Sequence, residues 1–322
     1  MKKVRVSAPG KLMLLGEHAV VYDRPCLVTT IDTRVDVVLE KLRQKRIVIN
    51  APEVGIKSYQ RTLAQPPLEK VPKGVRFLEA VLQIFYKRYR PKFGVNLNTS
   101  NGFSSKYGLG SSSAVSVCAA TALAEVFKIK LSKRKIFDLA YQAVLEVQGL
   151  GSGFDVAACC YGGCLYFRTA GKVIKPLKNC KIPLVVAYSG KKADTPFMVK
   201  TLAKKREKNF SKIEKDFDQI GRLVEEGKKV IEDKNWLRLG QLMNANQKIL
   251  QELGVSTSRL DKMIKAALTA GAWGAKLSGS GGGDCMLALV QKQRKHQVEQ
   301  ALVVAGGVLV PVSTGVEGVK VE

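Results

Sequence analysis

Two glycines and three serines stand together in Gly108-Leu109-Gly110-Ser111-Ser112-Ser113, directly before Ala114-Val115-Ser116-Val117-Cys118-Ala119-Ala120. The second stretch reads as helix. Small residues let backbone N–H groups come close to a ligand. A helix start leaves N–H groups unpaired and adds the positive end of the dipole. Together they suit an anion, most often phosphate. The serine hydroxyls add oxygens for a metal ion or partners for phosphate. The plainer alternative is a glycine/serine turn followed by an ordinary helix cap.

Three further islands carry polar groups in unusual settings. Lys11, Glu17 and His18 lie among glycines and apolar residues in the segment from Pro9 to Tyr22. Asp155 follows the glycine-rich turn Gly149-Leu150-Gly151-Ser152-Gly153-Phe154 and precedes Val156-Ala157-Ala158. The loop Gly279-Ser280-Gly281-Gly282-Gly283 ends in Asp284-Cys285, and its glycines allow close backbone approach to a ligand. Taken singly, these read equally well as a surface lysine with a satisfied histidine, a helix-capping aspartate, and a turn between strands. Taken jointly, they supply what ATP-dependent phosphoryl transfer needs. A loop holds phosphates with Mg²⁺, a lysine neutralises charge, and a carboxylate takes the acceptor's proton. The pattern G-x-x-x-x-G-K-[ST] is absent, which excludes a P-loop enzyme, and protein-kinase signatures are absent too.

These islands resemble, in order, the three motifs of the GHMP small-molecule kinases. The resemblance covers nearly the whole chain. It implies an α+β fold in two parts: an N-terminal domain with a left-handed crossover, and a C-terminal ferredoxin-like domain. It also implies roles. Asp155 is the base on the acceptor hydroxyl, with Lys11 beside it. Glu17, His18, Thr195 and Gly279 contact the substrate. Gly108, Leu109, Gly110, Ser111, Ser112 and Ser113 cradle the nucleotide phosphates, and Ser112 holds Mg²⁺. The co-substrate is ATP.

Two departures from the family pattern stand out. Many members that act on mevalonate carry a magnesium-binding glutamate eleven residues before the base, and here that position is Val144. The nearest carboxylate, Glu146, is taken as the second metal residue. Two helical positions amount to about 200° of rotation, so Glu146 replaces the glutamate only if the helix is irregular. The branch signals also divide. Gly16-Glu17-His18-Ala19-Val20-Val21-Tyr22 and the stretch from Leu242 to Gly279 resemble the branch acting on mevalonate. Lys106-Tyr107-Gly108, Ser152-Gly153-Phe154-Asp155 and Gly283-Asp284-Cys285 resemble the branch acting on phosphomevalonate. His18 tips the reading to phosphorylation of the mevalonate 5-hydroxyl, with phosphomevalonate the alternative acceptor.

Elements must position these residues. Val4 to Ala8 reads as a strand ending at Pro9-Gly10. Strands are also expected at 31–39, 47–50, 94–98, 183–188, 286–290 and 308–312, and Ala275-Lys276-Leu277-Ser278 leads into the glycine-rich loop at Gly279. Helices are expected at 75–89, from the serines to Phe127, and from an N-cap at Ser132 to Gln148. Others are expected over 196–253 with a break near Asp233, and from Ser256 or Thr257 to Ala270. Residues 55–71, with Pro66-Pro67, read as irregular. The boundary is placed at 180, giving domains 1–180 and 181–322.

The 322 residues suffice for two such domains. Lys and Arg number 53 against 27 Asp and Glu, a net charge of +26, which favours anionic partners. The excess is dispersed over faces and turns without aromatic interleaving, so specific nucleic-acid binding is not expected. Seven cysteines, none in a C-x-x-C pair, and two histidines argue against a zinc site or a disulfide framework. No apolar run approaches a membrane span. The basic start Met1-Lys2-Lys3 leads into Pro9, Gly10 and Lys11 rather than an apolar signal core. A cytoplasmic protein with no membrane partner is expected, and a homodimer is compatible with it.

Overall fold

A computed structural model describes residues 3–102, 105–179 and 181–322. Met1, Lys2, Phe103, Ser104 and Cys180 lie outside the described residues. The first half is built on one mixed sheet. Its strands are β1 (Lys3–Leu15), β2 (Cys26–Leu42), β3 (Arg46–Ala51), β4 (Ile56–Thr62) and β5 (Gly94–Asn101), with β6 (Cys164–Arg168) and β7 (Val173–Leu177). The chain's last strand, β12 (Lys320–Val321), returns to pair with β1, giving the order β12-β1-β2-β5-β3-β4. Strand β6 pairs with β2 and β7. Strands β3 and β5 run parallel, joined through β4 and helix α1 (Arg76–Tyr89).

Helices α2 (Ser111–Val126), α3 (Lys133–Gln148) and α4 (Phe154–Tyr161) pack with α1 behind this sheet. Helix α2 lies against β1 and β2 and is enclosed by α1, α3 and α4. A helix buried all round needs small side chains to let its neighbours approach, and α2 has them in Ala114, Ser116, Ala119, Ala120 and Ala122. Its first turn is therefore anchored in the core.

The second sheet has the order β11-β8-β10-β9, all antiparallel, from β8 (Leu184–Tyr188), β9 (Gly274–Leu277), β10 (Cys285–Leu289) and β11 (Val308–Leu309). Helices α5 (Thr195–Lys208), α6 (Phe210–Glu232), α7 (Trp236–Glu252) and α8 (Ser258–Thr269) connect β8 to β9, and α9 (Lys295–Val304) connects β10 to β11. This is a β-α-β-β-α-β, ferredoxin-like arrangement with extra helices. Asn235 caps α7 and Thr257 caps α8, each accepting from a backbone N–H.

Three local readings change. The expected break at Pro9-Gly10 lies inside β1, which continues to Leu15 with a register shift between these two residues. A bulge lets proline sit in a strand despite its missing N–H. Residues 55–71 are not wholly irregular, because β4 pairs with β3 from Arg46–Thr62 to Ala51–Ile56. Strands β6 and β7 and helix α9 had no clear sequence signal.

Candidate active site

A cleft of about 730 Å³ lies between the two sheets. Its walls come from β1, the β5 end, the α2 start, the α3 end, the turn before α4, the α5 start and the third glycine loop of the chain, 279–283. Gly108, Gly110, Ser111 and Ser112 line it. Gly110, at φ +88°, caps α2, and Ala114 N–H is the first of the helix to reach a carbonyl, that of Gly110. The N–H groups of Ser111, Ser112 and Ser113 are thus at the unpaired helix start. Leu109 does not line the cleft. Its side chain is buried and its carbonyl accepts from Lys11 N at 2.8 Å.

Lys11 is 6% exposed on β1, with its stem running against Gly110. Its Nζ donates to Gly108 O at 2.9 Å and lies 5.4 Å from the Phe154 ring centroid. Ser113 does not face the cleft as a phosphate hydroxyl. Its Oγ donates to Asp155 Oδ2 at 2.6 Å. Asp155 Oδ1 accepts from Val156 N at 2.9 Å, so the aspartate both steadies the α4 start and lines the cleft.

Glu17 differs from its expected role. Its side chain and that of Lys276 are fully buried and form an ion pair across the two halves. Burial raises the Glu17 carboxyl and lowers the Lys276 ammonium, while each partner pulls the other back. Lys276 Nζ also donates to Leu277 O at 2.6 Å. Glu17 thus lies in the cleft wall with its charge committed to the protein. The visible signal for Lys276 was a lysine inside an apolar strand.

His18 follows at φ 59°, buried to 5% exposure. Its Nε2 donates to Ser280 O at 2.9 Å. A carbonyl can only accept, which assigns the proton to Nε2 and leaves Nδ1 as an acceptor. Burial lowers this imidazole to about 4, against a rise from the Ser280 carbonyl, so it is neutral at pH 7. Ser278 ties the same region together: its Oγ accepts from Met13 N at 3.0 Å and donates to Met13 O at 3.1 Å. Thr195 starts α5, and its Oγ1 meets Ser280 Oγ at 3.1 Å. Gly279 lines the cleft at φ +103° with open space beside it.

Glu146 does not join the site. It is exposed on α3, outside the cleft, and accepts from Gln142 Nε2 at 3.1 Å. The helix is regular there, so position 146 faces away while Val144 lines the cleft. Several cleft residues had no sequence motif to reveal them, among them Glu53, Phe77, Asn101, Lys192 and Asp194. They come from separate segments and converge only on folding.

The profile described as "GHMP kinases N terminal domain" matches residues 76–163, and "GHMP kinases C terminal" matches 211–306. A mevalonate kinase of Pyrococcus horikoshii is 32% identical over 333 residues, covering 100% of this chain and 98% of that one. This chain belongs to the GHMP kinase family. Among solved structures, the Methanococcus jannaschii mevalonate kinase superposes with a TM-score of 0.83 at 24% identity, covering 98% of this chain and 99% of that one. A Streptococcus pneumoniae phosphomevalonate kinase, in complex with phosphomevalonate and AMPPNP, gives 0.80 at 18% identity, covering 98% and 100%. At those identities the likeness establishes the GHMP kinase fold. The two-part architecture around the cleft is that fold.

Proposed function

We propose that this GHMP kinase transfers the terminal phosphoryl group of ATP to the 5-hydroxyl of mevalonate. The observation that carries the reading is the convergence of Asp155, Lys11 and the α2 start on one cleft. The full-length similarity to archaeal mevalonate kinases supports mevalonate as the acceptor. The open N–H groups of α2 bind the ATP phosphates. The apolar wall of Val54, Phe77, Leu78 and Val115 offers a slot for the base.

Asp155, oriented by Ser113 and the Val156 N–H, accepts the proton of the 5-hydroxyl as that oxygen attacks phosphorus. Lys11 offsets the charge gathered between acceptor and phosphate. His18 Nδ1 accepts from an acceptor O–H, and Thr195 and Gly279 complete that end of the cleft. Mg²⁺ fits the oxygen donors at the α2 start, where the Ser112 hydroxyl would hold it, because this ion keeps several waters and substrate phosphate oxygens. Bound there, it supplies charge neutralisation of the phosphates.

We assign residues 1–180 to phosphate binding and proton abstraction and 181–322 to the loop that covers the acceptor. The separate sheets support this division, and among the described residues β12 is the strand that crosses back. Among the described residues no helix is long and apolar enough to cross a membrane, in keeping with a cytoplasmic reaction.

The test is ADP release from MgATP with mevalonate and, in parallel, with phosphomevalonate. Turnover on mevalonate is expected. Turnover on phosphomevalonate alone would transfer the assignment to the other branch. Asp155→Asn is expected to lower kcat by about 10²–10⁴ with ATP binding within twofold. Near-normal turnover would remove Asp155 as the base.

A further inference from the structure

Asp284 ends the third glycine loop and has no role in the chemistry above. It is 9% exposed and lines the cleft. Its φ of 57° is left-handed, a conformation that Asp and Asn adopt more readily than other side chains. The backbone is held on both sides: Asp284 N donates to Lys191 O at 2.8 Å, and Asp284 O accepts from Ser189 N at 2.9 Å. The next residue latches the phosphate loop, with Cys285 Sγ donating to Tyr107 O at 3.2 Å. The carboxylate is therefore placed, not free to swing.

Its two oxygens differ. Oδ1 accepts from Ala193 N at 2.9 Å. Oδ2 accepts from no described residue and lies over Gly108, where a β-carbon would collide with it. A negative oxygen is thus set against the loop that must receive a triphosphate. In a partly enclosed cleft such a pair repels strongly. Burial raises the Asp284 carboxyl from its ordinary value, against the Ala193 N–H bond and the charges of Lys11 and Lys192. Lys11 gives one N–H to Gly108 O and Lys192 is exposed, and their two charges fall short of those that a triphosphate and a carboxylate bring together. A divalent ion between carboxylate and phosphates resolves the conflict.

Among the other acidic groups of the cleft, Glu17 is paired with Lys276 and Asp155 uses both oxygens. Glu53 and Asp194 each have one oxygen bonded, to Thr99 Oγ1 and to Phe197 N, and it is Asp284 whose carboxylate lies against Gly108 of the phosphate loop. Position 144 offers no oxygen at all.

We propose that Asp284 is an acidic ligand of the divalent cation that accompanies ATP, reaching it from the third loop while Ser112 reaches it from α2. The inference rests on the ATP reading of the cleft. Two hard oxygen donors, with phosphate oxygens and water, suit Mg²⁺ or Mn²⁺. The acid then comes from the second half of the molecule rather than from α3, so the metal joins the two halves across the nucleotide.

The test uses Asp284→Asn in the full chain. Asparagine keeps the left-handed backbone and the Ala193 bond and removes the charge. Mn²⁺ is titrated by electron paramagnetic resonance into protein carrying a non-hydrolysable ATP analogue, and analogue binding is measured again in EDTA. The variant is expected to bind Mn²⁺ about 10- to 100-fold more weakly than wild type. In EDTA it should bind the analogue no less tightly than wild type, because a repulsive charge is gone. A variant that folds and takes the analogue yet titrates Mn²⁺ like wild type overturns the assignment. So does loss of analogue binding in EDTA, which marks a structural role. A wild-type protein that does not bind the analogue with Mn²⁺ overturns the ATP reading itself, and this proposal with it.

Discussion

Replacing Lys276 by methionine probes how the two halves are fastened at the cleft. The ammonium and its partner Glu17 are both fully buried, and the pair joins β9 to the turn after β1. Methionine fills nearly the same volume, so the loss is charge rather than packing. Breaking a buried pair from one side costs about 3–5 kcal/mol, because the remaining charge is left without compensation. At about 2–4 °C per kcal/mol for a chain of this class, the melting temperature should fall by roughly 6–20 °C.

The loss also acquires a pH signature. Burial raises the Glu17 carboxyl, and without Lys276 only the backbone N–H groups of Glu17 and Gly279 pull it back. A carboxyl raised in the folded state holds its proton more tightly there than in the unfolded chain. Its stabilising contribution is present at acid pH and lost as pH rises through the folded pKa. The variant should therefore be most stable at acid pH and weaken toward neutrality. Glu17→Gln combined with Lys276→Met removes both charges and should recover much of the loss. Thermal and urea denaturation across pH reads all three proteins. A single variant melting within about 2 °C of wild type, or a double variant no better than the single, would refute the argument.

Ser113→Ala should lower kcat by about tenfold while leaving the KM for ATP within twofold, because its hydroxyl serves Asp155 rather than phosphate. Steady-state kinetics with each substrate varied separates the two roles, and a raised ATP KM with unchanged kcat contradicts this one. The His18 imidazole is lowered from 6.5 to about 4, so its folded form resists a proton that the unfolded chain accepts. Its contribution is complete above about 6.5 and should fade as pH drops to about 4, by roughly 3 kcal/mol. His18→Asn should flatten that part of the urea-stability curve, and a variant curve parallel to wild type speaks against the buried neutral imidazole. Glu146→Gln should leave the Mg²⁺ dependence of turnover unchanged, whereas Ser112→Ala should raise the Mg²⁺ requirement. The reverse pattern would return Glu146 to the metal.

Much of the fold was legible because its long elements repeat strong local signals. The Ser132 cap and the apolar spacing after it gave α3, and the interruption near Asp233 separated α6 from α7. Pro9-Gly10 misled because a bulge accommodates what proline usually forbids in a strand. Strand β4 was missed because its exposed face is polar and it is bounded by a glycine turn and a proline-rich segment.

At the site, motif residues announced themselves while their partners did not. Gly108 to Ser113, Lys11 and Asp155 stand out because small residues or isolated charges in apolar surroundings are locally costly unless they do something. Their types and order suffice to identify a phosphoryl-transfer family. The tertiary structure decided which partner each side chain takes. Glu17 pairs with Lys276 across 259 positions of chain. Ser113 turns to Asp155, and Glu146 faces outward although it is the carboxylate nearest to position 144. These outcomes depend on helix phase and on contacts between distant segments. Local sequence fixes the conformation of a turn or a helix start. The partner of a charge is set by which surfaces the packed sheets and helices bring within a few ångströms of it.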